Sequence, residues 1–114
     1  MIATAAMLYA LSMPRPCLLS AVEWAESRGN WLAVAGTHRG PYQIAERFSR
    51  IPWWALHIEP LARVEAQRML TRWHQRAGGD WHGALRGWRY GSAGLRGEVG
   101  HQYAAAVLSR CELT

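Results

Sequence analysis

Glu26 closes the apolar stretch PCLLSAVEWAE and is followed at once by the polar turn Ser27-Arg28-Gly29-Asn30. A carboxylate on the last turn of a helix opposes the helix dipole mildly. One explanation is a surface charge paired with Arg28 or another arginine. The other is an acid held at the wall of a cleft, where partial desolvation beside Trp24, Trp31 and Trp88 raises its pKa and lets it donate a proton. Two further stretches could serve such an acid: GPYQI, residues 40–44, and ALRGWRYGSAG, residues 84–94. Each is commonplace alone. In order they read as an acid ending a helix, a Gly-x-x-Gln turn, a long helix, then an Ala-Leu-x-x-aromatic helix entering a Gly-rich turn.

That order resembles the lytic transglycosylases of the lysozyme-like superfamily, whose motifs read E-S, then G-x-x-Q, then A-x-x-Y-N-x-G. Glu26-Ser27 falls on the first, Gly40-Pro41-Tyr42-Gln43 on the second, and Ala84 through Gly91 on the third. The resemblance spans roughly residues 14–108 and implies a lysozyme-like single domain over 1–114. It also implies cleavage of the MurNAc-GlcNAc β-1,4 bond of peptidoglycan with Glu26 as the catalytic residue. Substrate contacts are then expected from Ser27, Gly40, Tyr42, Gln43, Trp88, Arg89 and Tyr90. The third motif departs from the family, with Trp88 in the Tyr position and Arg89 in the Asn position. An indole offers no phenolic hydroxyl, which Tyr90 supplies only if the turn shifts by two residues.

One acid suffices for this chemistry. A two-carboxylate glycosidase uses its second carboxylate to activate water or to attack. A lytic transglycosylase lets the MurNAc C6 hydroxyl attack, so the same Glu donates a proton and later withdraws one. A second carboxylate near the site would turn the reading toward a hydrolytic lysozyme, and Glu46 and Asp80 are the candidates. Asp80 reads better as a helix cap, whereas Glu46 follows the Gln43 turn and stays open. Glu23, one turn before Glu26, reads as a surface residue or a partner of the site. Ser27 has a bland alternative, a hydroxyl bonding back to a helix carbonyl. Gln43 is either a substrate-positioning amide or a brace for its loop. Trp53 and Trp54 border the groove in the family, and capping the core is the preferred reading for both.

The elements that must hold these residues are mostly helical. Residues 2–12 read as a short helix stopped by Pro14 and Pro16. A second starts near Cys17, carries Leu18, Leu19, Val22 and Ala25 on one face, and ends at Gly29. Residues 31–42 are turn-rich, with a short extended element or none, and a brief helical turn ends at Pro52. The longest helix starts at Pro60, with Leu61, Val64, Met69, Leu70 and Trp73 as its apolar stripe, and stops at Gly78-Gly79. Asp80 caps the next, with Trp81, Ala84, Leu85 and Trp88 on one face. A loop over GSAGLRGEVG leads to a last helix, HQYAAAVLSRC. The fold class is all-α, or mainly α with a minor hairpin.

Bulk properties agree with one domain of 114 residues, half apolar and with seven Trp. The formal charge is +5, and every basic residue is Arg. A basic surface suits any anionic polymer, peptidoglycan included. An Arg-rich nucleic-acid binder, with Arg63, Arg68, Arg72 and Arg76 partly clustered, is a weaker reading, and no specific nucleic-acid partner is expected. Cys17 and Cys111 are either one disulfide or two buried thiols. The five His are scattered, so neither a metal site nor a cofactor is expected. The apolar N-terminus lacks a basic n-region and is too short to span a membrane. Delivery by a larger assembly is therefore expected. A phage virion acting on the host periplasm or cell wall comes first, and a periplasmic secretion apparatus second. An inactive, wall-binding virion component is the remaining reading of the same fold.

Overall fold

Proline, glycine and one aspartate set most of the boundaries in the computed structural model, which describes residue 4 and residues 13–112. The helix expected over 2–12 lies outside the described residues. Helix α1 runs Pro16–Ser27 with proline in its first turn, where the missing N–H costs nothing. It ends when Arg28 turns left-handed at φ 58° and donates its N–H to the Trp24 carbonyl. Helix α2 is Glu59–Arg76, again with proline in the first turn. Helix α3 is Trp81–Leu95, capped by Asp80, whose carboxylate accepts from the N–H groups of His82 and Gly83. Helix α4 is His101–Glu112.

Between α1 and α2 lie three two-residue strands, β1 (Val34–Ala35), β2 (His38–Arg39) and β3 (Ile44–Ala45), in the order β1-β2-β3. All pairs are antiparallel, with Val34 opposite Arg39 and Arg39 opposite Ile44. Two 3-10 turns follow, Glu46–Phe48 and Trp53–His57. The molecule is thus mainly helical with a small sheet. Of the two readings of the fold class, all-α or mainly α with a minor hairpin, the second is the nearer, and a third short strand extends the hairpin.

The buried residues form one cluster drawn from all four helices and the sheet: Leu18, Leu19 and Val22, Tyr42 and Ile44, Leu56, Ala62, Ala66 and Leu70, Leu85, and Ala104 and Val107. Three expectations need correction. Ala25 is exposed, at the last turn of α1, and Ala21 is buried in its place. On α2, Leu61 and Val64 face outward at 45% and 68% exposure, while Ala62, Glu65, Ala66, Leu70, Thr71 and His74 are buried. The buried face of α2 mixes two alanines and Leu70 with Glu65, Thr71 and His74, so choosing it by the larger apolar side chains selects the wrong stripe. The GSAGLRGEVG segment is not all loop. Gly91, at φ 67° and ψ −144°, kinks α3 and the chain resumes a helical turn to Leu95, a conformation open to glycine and few others.

The α2–α3 seam is close. His74 stacks on Trp81 at 3.9 Å, and a Cβ on Gly87 would lie 2.4 Å from Cε3 of Trp73. Glu65 is the polar fixture of α2. Its carboxylate is 3% exposed and accepts from Arg68, the Arg50 N–H and the Ser49 hydroxyl. Burial alone would raise its pKa, but these donors outweigh that and hold it below the usual carboxylate range.

Candidate active site

Glu26 sits on the last turn of α1, and what faces it comes from the opposite end of the chain. The Tyr103 hydroxyl on α4 donates to Glu26 Oε2 at 2.9 Å. A simple register explains the meeting. Cys17 and Cys111 are joined by a disulfide, Cα to Cα 5.1 Å, at the start of α1 and the end of α4. From that pin, Glu26 lies nine residues along α1 and Tyr103 eight residues back along α4. At about 1.5 Å per residue the two side chains arrive at the same level.

Burial is the largest influence on Glu26 and pushes its pKa up. The Tyr103 hydroxyl, the Arg89 charge, a hydrogen bond from the Trp88 side chain and nearby His38 pull the other way without cancelling it. Burial also pushes the Tyr103 phenol well up, with the Glu26 carboxylate adding to the effect. Tyr103 therefore stays protonated and serves as a fixed donor. The result is a carboxyl with an elevated pKa, held by one neutral donor, the Tyr103 phenol. Arg28 does not pair with it; its guanidinium lies over the Trp24 ring at 4.6 Å. Trp24 and Trp31 are not its walls either. They are 38% and 48% exposed, and Trp24 also carries Arg110 at 4.1 Å.

Ser27 ties the Glu26 turn to the Gly-x-x-Gln turn, its hydroxyl lying 2.7 Å from the Pro41 carbonyl and 3.3 Å from that of Glu23. The bland alternative for Ser27, bonding back into its helix, is thus present alongside a second tie. Two expected substrate contacts in this turn are corrected. Tyr42 is fully buried, and its hydroxyl accepts from Arg63 at 3.0 Å. Gly40 is buried with φ 78°, and a Cβ there would stand 1.7 Å from the Leu56 carbonyl oxygen. Both are internal because the turn packs its Gly-Pro-Tyr segment inward against the 53–57 turn and α2. Gln43 takes a left-handed φ of 51°, and its amide donates to the carbonyls of Gly40 at 2.9 Å and Ala33 at 3.1 Å. It braces the loop, and it also lines the cleft.

Trp88, Arg89 and His38, which act on Glu26, also line an open cleft of about 580 Å³. Its walls include Phe48, Trp73 and Tyr90 and a set of arginines from α2 and α3. Trp88 packs partly against the core, while Tyr90 is 43% exposed and stands edge-on to Tyr103, centroids 6.4 Å apart. The hydroxyl beside Glu26 comes from Tyr103 on another helix.

The other carboxylates are elsewhere. Glu46 is ion-paired with Arg39 and does not line the cleft. Asp80 is occupied as the α3 cap. Burial first and the Glu59 carboxylate second raise the Glu23 pKa, and Arg63 opposes them without cancelling the rise. Trp53 and Trp54 do not cap the core; they are 56% and 53% exposed, and Arg39 lies over Trp53 at 5.1 Å. Among the described residues no group of three or more His, Cys, Asp or Glu could hold a metal ion, and no helix is long and apolar enough to cross a membrane.

Sequence reasoning missed Tyr103, His38, Phe48 and Trp73. For Tyr103 a signal existed: if the two cysteines pair, spacings of nine residues forward from Cys17 and eight back from Cys111 bring it level with Glu26. His38 and Phe48 carried none, since they depend on how the sheet and the following turn fold over. A scan against protein-family models, a search of curated proteins and a search of solved structures found no match.

Proposed function

We propose that the chain is a peptidoglycan-cleaving lytic transglycosylase in which Glu26 acts first as acid and then as base. The observation that carries this reading is the state of Glu26: a carboxyl raised by burial and held by Tyr103, behind Trp88, Arg89 and His38, which line an aromatic cleft that no aspartate or glutamate lines among the described residues. Protonated Glu26 gives its proton to the glycosidic oxygen as the bond from C1 to that oxygen breaks. The C6 hydroxyl of the same MurNAc then bonds to C1, and its proton passes to the Glu26 carboxylate. The ring closes as 1,6-anhydro-MurNAc, no water is consumed, and the acid is restored. The Arg89 guanidinium lends positive character near the carboxylate while it is charged.

Hydrolysis needs a group to activate water, and Glu46, the strongest candidate by position, is engaged by Arg39. Trp88 and Arg89, standing where the family carries Tyr and Asn, favour a second reading, a wall-binding component without activity. Our reading of the setting is delivery by a larger assembly, a phage virion first and a secretion apparatus second, acting at the host periplasm or wall. The excess of thirteen basic over eight acidic residues suits an anionic wall.

The test is mass spectrometry of soluble products from purified peptidoglycan with wild type and Glu26→Gln. Anhydro-muropeptides from wild type only are expected, with a loss of at least about a thousandfold in the variant. Reducing-end products establish a hydrolase instead. No soluble product from folded wild type establishes the inactive reading.

A further inference from the structure

Four ion pairs occur among the described residues, and they use Arg39, Arg63, Arg68 and Arg96. The remaining arginines are not spread evenly. Arg47, Arg72, Arg76 and Arg89 line the cleft together with Arg68, and no aspartate or glutamate lines it among the described residues. Arg72 and Arg76 project from successive turns of α2, about 6 Å apart along its axis. Arg76 lies over Trp73 at 4.3 Å and Arg47 over Phe48 at 4.7 Å. An aromatic face steadies a guanidinium while leaving its N–H groups available to an anion. Arg63, expected in the same cluster, is turned away to Tyr42 and the Pro16 carbonyl. What remains is one stripe facing one cleft, not a cationic helix.

The uncharged sugar rings of a glycan have no use for such a wall. We propose that the arginine stripe of Arg72 and Arg76, with Arg47 lining the same cleft, recognises the carboxylates of the stem peptides, so that the cleft selects peptidoglycan whose peptide carboxylates are free over peptidoglycan in which they are amides. The inference rests on the reading of the cleft as a peptidoglycan site and names the part of the substrate that the site discriminates. The arginines are solvated, so the selection weakens with salt.

The experiment compares sacculi as purified with the same sacculi after carbodiimide and ammonia have converted their carboxylates to amides, which leaves the glycan strands unchanged. Wild type is expected to release products from the untreated material about tenfold faster at low salt, and the ratio is expected to fall as salt rises. In the Arg72→Gln/Arg76→Gln variant, checked for an unchanged Tm, the ratio falls toward one. Equal rates on both materials with wild type overturn the selectivity and leave the transglycosylase reading intact. If neither material yields product, that reading fails, and co-sedimentation decides the selectivity alone. Preferential pelleting with untreated sacculi upholds it, and equal pelleting overturns it. Single-stranded DNA that displaces the protein from untreated sacculi at equal charge concentration also overturns it, since the wall then reads charge density and not the peptide.

Discussion

Glu65 and Glu26 are both carboxylates set into helices against the core, yet their environments drive them in opposite directions. Glu65 receives the Arg68 guanidinium, a backbone N–H and the Ser49 hydroxyl, and its pKa falls despite burial. Glu26 receives only the Tyr103 phenol, with the Trp88 indole close by and Arg89 acting through its charge at a distance, and burial prevails. Burial is the first influence on each, so burial does not separate a structural acid from a chemical one. The charge and number of donors do: a guanidinium in contact makes a fixed anion, and neutral donors leave a proton that can be given away.

The largest expected effect breaks the structural member. Glu65→Ala leaves Arg68 and the Arg50 N–H without their acceptor and is expected to cost about 3 kcal/mol, read from denaturant midpoints. Glu26→Gln removes a carboxyl whose charged form burial opposes, so the same measurement is expected to show no loss. A comparable loss in both variants would dissolve the contrast.

Next is the close seam behind the cleft. Gly87→Ala places a methyl 2.4 Å from Trp73 Cε3 and is expected to cost about 2 kcal/mol while displacing an aromatic wall. A thermal shift indistinguishable from wild type would mean that the ring moves freely.

Tyr103→Phe sharpens the comparison by removing a neutral donor alone. Activity is expected to fall about tenfold as Glu26 loses its orientation. Because the Tyr103 hydrogen bond lowers the Glu26 pKa, its removal raises it further, and the alkaline limb of the activity profile moves to higher pH. An alkaline limb that moves to lower pH overturns the assignment of Glu26 as the acid.

The acid dependence of stability separates the two carboxylates again. Glu65 is depressed in the fold, so its contribution is present above the unfolded pKa and is lost as pH falls through the folded one. Glu26 is raised, so its contribution is full below the unfolded pKa and is lost as pH rises through the folded one. The stability difference between wild type and Glu65→Gln is expected to shrink below the ordinary carboxylate range. That between wild type and Glu26→Gln is expected to change above it. The smallest effect is at Glu46, where Glu46→Gln is expected to alter rate by less than about twofold, as suits an exposed ion pair. A change of product in that variant would bring the second carboxylate back.

Local chemistry by itself determined where α1, α2 and α3 begin, where α2 stops, and one cap. Pro16 and Pro60 open helices because a first turn needs no N–H, Asp80 caps because its oxygens reach the next free N–H groups, and Gly78 and Gly79 stop α2 by going left-handed. The position of Glu26 at a helix end was legible for the same reason. Packing decided the rest, because it depends on what arrives from far along the chain. Ala62, Ala66 and Leu70, not Leu61 and Val64, face the core, because which side of α2 is covered depends on the elements that pack against it. Gly40 and Tyr42 turned inward, and Trp53 and Trp54 outward, as the 40–43 turn docked. Tyr103 met Glu26 from a separation of 77 residues, because a disulfide and an antiparallel helix pair set their level. A pKa, unlike a helix cap, is the sum of what surrounds a group, and those neighbours come together only when the chain is folded.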